Sequence, residues 1–171
     1  MTELVDRSTR AKIEDLLRYA PLTFPKGIFK ARSKTNLIVI HSLDTPPDWK
    51  EDIRQIDRWH REERGWAAIG YHYVIFRDGT VVTGRPLDVI GAHQPGWNSR
   101  SVAIALAGGK GAKREDEDFF EHYTLDQETS LDRMLNALRR LWPAVQVVGH
   151  RDHPKCEKAC PGFDVKVWAH G

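Results

Sequence analysis

Leu37-Ile38-Val39-Ile40-His41, read together with its distant counterpart Val145-Gln146-Val147-Val148-Gly149-His150, decides how this chain folds. Each is a short apolar run rich in β-branched residues and bounded by turn-forming residues, the pattern of a buried strand. Ser42-Leu43-Asp44-Thr45-Pro46-Pro47 breaks the first run just after its histidine. Each run therefore carries an imidazole to the end of a rigid element, where it can face a cleft. The residues after His150 run Arg151-Asp152-His153-Pro154-Lys155-Cys156-Glu157-Lys158-Ala159-Cys160-Pro161. Imidazole, carboxylate, ammonium and thiol groups in one short segment suit a zinc ion better than an apolar core. A catalytic zinc takes three protein ligands and keeps one position open. The segment reads as half of such a site, with His41 as the best ligand from elsewhere. Cys156 and His153 compete with Cys160 on composition, and in a reducing compartment the two cysteines point to a metal rather than a disulfide.

Between the two runs, helical and strand patterns alternate. Trp49 to Arg64 reads as a helix with Ile53, Ile56 and Trp59 on one face and Gly65 as its cap. Tyr71 to Phe76 and Val81 to Thr83 flank Arg77-Asp78-Gly79-Thr80, a hairpin signal. Ser101 to Ala107 is a further apolar strand, and a charged loop, Lys110 to Asp118, precedes a helix from Leu125 to Leu141. Ile13, Leu16 and Leu17 give a helix over Ser8 to Tyr19, ended by Pro21 and Pro25. The implied fold class is α/β, a single-domain mixed central sheet flanked by helices over residues 35–171, with residues 1–34 as a peripheral N-terminal helical extension.

A chain of 171 residues, 40% hydrophobic, is long enough for one sizeable core. Its net charge of +2 is too near neutral to imply nucleic-acid binding. The first residues lack the apolar stretch of a secretory signal, and no run approaches membrane-spanning length, so the expectation is a soluble protein made in the cytoplasm. No spaced carboxylate pair stands out as a glycosidase dyad. Six tryptophans invite a sugar-stacking reading, but Trp59, Trp142 and Trp168 fit helix-core anchoring better.

The ordered set of His41, Trp59-His60, Gly70-Tyr71-His72-Tyr73, Arg77-Asp78-Gly79-Thr80, Gly91-Ala92-His93 with Gly96 and Asn98, Gly149-His150 and Lys158-Ala159-Cys160-Pro161 resembles one family. It is similar to the zinc-dependent N-acetylmuramoyl-L-alanine amidases of the type-2 amidase and peptidoglycan-recognition-protein superfamily, most of all the bacteriophage T7 lysozyme branch. The match runs from about Asn36 to Phe163.

The resemblance implies one Zn²⁺ per chain held by His41, His150 and Cys160, and catalytic roles for Tyr71 and Lys158. It also implies substrate contacts from His93, Trp97 and Asn98 in a Gly/Pro-rich loop. His60 and His72 read as structural, and Asp152 is a weak candidate base. The expected activity is hydrolysis of the amide between N-acetylmuramic acid and L-alanine, by a phage endolysin that waits in the host cytoplasm until the membrane is permeabilised. A muropeptide-recycling amidase and a non-catalytic peptidoglycan-binding protein are the rivals. The partners implied are cell-wall peptidoglycan and, in that branch, a phage RNA polymerase, with the chain itself a monomer.

Overall fold

The computed structural model describes residues 17–19 and 22–171. Among these residues six strands form one sheet: β1 (Leu17–Tyr19), β2 (Leu37–Ser42), β3 (Tyr73–Ile75), β4 (Val81–Thr83), β5 (Ser101–Leu106) and β6 (Gln146–Gly149). Their order is β1-β4-β3-β5-β2-β6. Only β3 and β4 are antiparallel; β2 runs parallel to both β5 and β6. Nearly every residue of β2 and β5 is buried, as parallel strands covered on both faces require.

Those covers are helical. On one face α2 (Leu125–Leu141) sets Leu131, Met134, Leu135 and Leu138 against Ile38, Ile40, Val102 and Ile104. On the other, Ile53 and Ile56 of α1 (Ile53–Arg58) meet Val74, Val82 and Ala105. The ends of α2 fall where the sequence puts them, and a reciprocal capping box between Thr124 and Gln127 fixes its N-terminus. Gln127 also reaches the sheet, its Nε2 donating to Ala107 O at 2.8 Å and Ile75 O at 3.2 Å. A short helix, α3 (Val165–His170), closes the chain and packs Val165 into the same core as Val147.

Two expectations need correction. The helix read from Trp49 starts only at Ile53, because Asp52 accepts the Arg54 N–H at 2.9 Å and caps it; beyond Arg58 it widens into a π-helical turn, Trp59–Glu63. The helix read over Ser8 to Tyr19 lies mostly outside the described residues, and its last three residues are the edge strand β1, paired in parallel with β4. Among the described residues no helix is long and apolar enough to cross a membrane.

The β3–β4 hairpin turns at Asp78-Gly79, with Val74 opposite Val82. Gly79 has φ of 81°, and a Cβ there would stand 2.8 Å from Asp126 O, so the turn needs glycine both for its conformation and for its approach to α2. For the site, one register matters most. Ile40 of β2 lies opposite Gly149 of β6, so the next residues, His41 and His150, emerge side by side at the carboxyl end of the sheet.

Candidate metal centre and its cleft

Parallel strands in an open sheet place ligand sites at their carboxyl ends, and the three predicted metal ligands meet there. The ring centroids of His41 and His150 are 4.5 Å apart. His41 Nδ1 lies 3.9 Å from Cys160 Sγ. One ligand atom from each of His41, His150 and Cys160 falls within 4.8 Å of the others. Two imidazoles and a thiol at that spacing match a tetrahedral zinc with one position left open. The Cys160 sulfur accepts the Ser42 N–H at 3.1 Å, and the Cys160 carbonyl accepts the Arg151 N–H at 2.7 Å, so β2 and the segment after β6 hold this residue between them.

Burial governs the protonation of all three. It depresses His41 strongly, with His93 and His150 adding to the effect, and lowers His150 to about 4 with help from Lys158. It pushes the Cys160 thiol up to about 11, against the opposing Ser42 hydrogen bond. The imidazoles thus keep their lone pairs, and a cation bound beside Cys160 would favour its thiolate. The rival donors lie apart. His153 Nδ1 accepts from Gln94 Nε2 and from the Lys155 N–H, each at 3.2 Å, and Cys156 Sγ contacts Lys158 O at 3.9 Å. Asp152 is engaged as well, accepting the Gly149 N–H at 2.8 Å and pairing with Lys166 at 3.3 Å.

The cluster floors a cleft of about 530 Å³ walled by Ile56, Trp59, His60, Trp66 and Tyr71, with Lys158 on its rim. Tyr71 packs its ring between His41 and His60, 5.2 Å from each, and burial raises its phenol pKa. A second cleft of about 570 Å³ adjoins the first and carries Arg64, Lys155, Glu157 and Lys158. Structural roles suit His60 and His72: His60 Nδ1 accepts the Gly70 N–H at 2.9 Å, and His72 Nδ1 accepts the Ala103 N–H at 3.0 Å.

Of the three residues expected to touch substrate, His93 and Asn98 border the second cleft, but both are already engaged. His93 is buried, with Nδ1 2.9 Å from His41 Nε2 and Nε2 3.0 Å from Ser101 Oγ. Asn98 Oδ1 accepts the N–H groups of His93 and Gln94 at 2.9 and 2.8 Å. Trp97 packs against His153, ring centroids 4.7 Å apart, and beside Leu37, Val39 and Val148.

Sequence reasoning missed Gln94, whose Oε1 lies 2.6 Å from His150 Nε2. The only available signal was its place next to His93 in the Gly/Pro-rich loop. It also missed a clasp between two loops. Arg114 donates to the carbonyls of Cys156 and Lys158 at 2.9 and 3.0 Å, while Arg151 donates back to Arg114 O and Asp116 O at 3.0 and 2.8 Å.

Residues 31–163 match the family model described as N-acetylmuramoyl-L-alanine amidase. The endolysin of Enterobacteria phage K11 is 38% identical over 140 residues, 82% of this chain and 89% of the relative. Among solved structures, N-acetylmuramoyl-L-alanine amidase LysC from Clostridium intestinale URNW superposes with a TM-score of 0.69 at 30% identity, over 88% of this chain and 91% of that one. A Drosophila PGRP-LB variant in complex with tracheal cytotoxin aligns with a TM-score of 0.69 at 25% identity, over 88% of this chain and 89% of the other.

Proposed function

The chain belongs to the N-acetylmuramoyl-L-alanine amidase family, and from that premise we propose that it is a phage endolysin whose His41, His150 and Cys160 hold a zinc ion for cleavage of the amide between N-acetylmuramic acid and L-alanine. The observation that carries this reading is the convergence of those three donors on the floor of the cleft. When bound, the metal supplies a Lewis acid that polarises a carbonyl and acidifies water.

The remaining work falls to the chain's own side chains. Lys158, two residues before Cys160 and on the rim of the cleft, brings an ammonium toward the amide oxygen as negative charge develops there. Tyr71, with its ring against His41, offers a phenolic donor to the same tetrahedral species. Ile56, Trp59 and Trp66 give one stretch of the wall an apolar surface, next to the polar His60, Glu63 and Arg64. The adjoining cleft sets Arg64, Lys155 and Lys158 against the single carboxylate Glu157, a balance that suits the carboxylate-bearing stem peptide. Two clefts meeting at the cluster give a polymer room on both sides of the scissile bond. An intact donor set with a cation at its rim is more than a silent receptor needs.

Acting as an endolysin, the protein reaches the wall once the host membrane has been permeabilised. We take residues 35–171 as the catalytic unit and 1–34 as an extension that adds an edge strand. The test is mass spectrometry of digested peptidoglycan together with zinc analysis of the purified protein. Stem peptides with free L-alanine amino termini, no new reducing ends and about one zinc per chain are the expected result. New reducing ends alone would refute the amidase reading, and full activity in protein verified to be metal-free would refute the zinc.

A further inference from the structure

Both ligand histidines have a ring nitrogen turned away from the cluster, and the two groups that meet those nitrogens are consecutive residues of one loop. His41 Nε2 is 2.9 Å from His93 Nδ1, and His150 Nε2 is 2.6 Å from Gln94 Oε1. The direction of each bond follows from what lies behind it.

Ser101 is buried and donates its hydroxyl to Trp97 O at 2.8 Å, so its oxygen can only accept from His93 Nε2 at 3.0 Å. A neutral His93 that donates from Nε2 has a lone pair on Nδ1, and His41 must then donate from Nε2. The amide of Gln94 is oriented in the same way. Its NH₂ donates to Pro95 O at 3.1 Å and to His153 Nδ1 at 3.2 Å, which leaves the carbonyl oxygen toward His150. A carbonyl cannot donate, so His150 also donates from Nε2. Asn98 Oδ1 accepts both backbone N–H groups, of His93 at 2.9 Å and Gln94 at 2.8 Å, and so ties the two acceptors into one unit.

We infer that the loop from Gly91 to Asn98 is an orienting clamp: through His93 and Gln94 it fixes the Nε2–H tautomer of His41 and His150 and so leaves the lone pair of each on Nδ1, that of His41 lying 3.9 Å from Cys160 Sγ. His93, Gln94 and Asn98 are accordingly positioning residues, acting on the cation through the two histidines. Acceptors behind a ligand imidazole set its tautomer and ring angle and raise its basicity, and their loss weakens metal binding. The inference rests on the metal-site reading above.

Gln94 is the residue to test, because His93 is buried and its replacement risks the fold. Zinc affinity is measured by competition with a chromophoric chelator in the full-length wild type, Gln94→Leu and Gln94→Glu, with circular dichroism to confirm folding. The electronic absorption of each cobalt(II)-loaded protein is recorded alongside. Gln94→Leu keeps the bulk and loses the acceptor, so its affinity should fall by about 10- to 100-fold and its cobalt bands should shift. Gln94→Glu restores an acceptor oxygen and should return both readouts to near the wild type. Wild-type affinity and spectrum in Gln94→Leu would overturn the inference. Equal weakening in both variants would also overturn it, since shape rather than hydrogen bonding would then be at stake. A wild type that binds no zinc would instead remove the metal-site reading itself, which separates the two failures.

Discussion

His72 should cost the protein stability as the pH falls from neutrality toward 5. Its side chain is fully buried; Nδ1 accepts the Ala103 N–H at 3.0 Å and Nε2 donates to Val89 O at 2.9 Å, so the neutral ring satisfies both contacts. Burial, and then the Arg32 guanidinium 3.2 Å away and the charge of Arg85, lower its pKa from 6.5 to about 3. The unfolded chain takes up a proton below 6.5 while the folded one does not, so stability is complete above that value and drains away as the pH falls toward 3. At pH 5 the difference amounts to about 2 kcal/mol, a large share of the ~5–15 kcal/mol that holds a domain folded. His72→Gln supplies an acceptor and a donor that do not titrate. Urea unfolding of both proteins at pH 7.5 and pH 5, under identical metal conditions, should show the wild type losing about 2 kcal/mol more than the variant. Equal losses would refute the reasoning, because the variant shares every other titrating group.

Cys160→Ala should lose tight zinc binding and hydrolysis together, whereas Cys156→Ala should keep most of both; the reverse pattern, read by elemental analysis and wall digestion, would overturn the ligand assignment. Lys158→Ala should retain its zinc and its fold yet turn over about 10- to 1,000-fold more slowly, and full activity would reduce this residue to a surface charge. Deleting residues 1–30 should spare hydrolysis of purified wall at a cost in stability, since β1 only extends the sheet edge while Leu22 and Phe24 pack against the Ile53 and Ile56 cluster from outside the metal centre. Arg32 has to stay, because it donates to Val89 O at 2.6 Å and Leu87 O at 2.5 Å. A folded truncation without activity on purified wall would show that the extension helps build the site.

The meeting of His41 with His150 was legible because each closes a β-branched apolar run, and buried parallel strands of that kind align their ends. α2 was legible because Leu131, Leu135 and Leu138 repeat at helical intervals, and the capping box of Thr124 and Gln127 holds its first turn where that repeat begins. What the sequence hid was non-local. β1 is three residues long and takes its strand character from β4, more than 60 positions away, while Ile13, Leu16 and Leu17 keep a helical spacing. The Trp49 start failed because apolar periodicity carries on past Asp52, whose cap is a matter of one side-chain bond. His93 and Asn98 were read outward, toward substrate, since a polar residue in a Gly/Pro-rich loop looks the same whether it faces a ligand or braces its neighbours. Gln94 carried no signal of its own, its partner being 56 positions away.

The Lys110 to Asp118 loop looks by composition like an inviting place to insert a tag or graft a wall-binding module. Its Arg114 bridges the carbonyls of Cys156 and Lys158, on either side of Glu157, so an insertion that shifts this arginine would loosen the backbone that carries the Lys158 ammonium and, two residues on, the Cys160 thiol. The acceptors are neutral carbonyls, so the clasp does not depend on paired charges that salt would screen. Exposed positions away from the clasp, such as His170 and Gly171 at the end of α3, put no such backbone at risk.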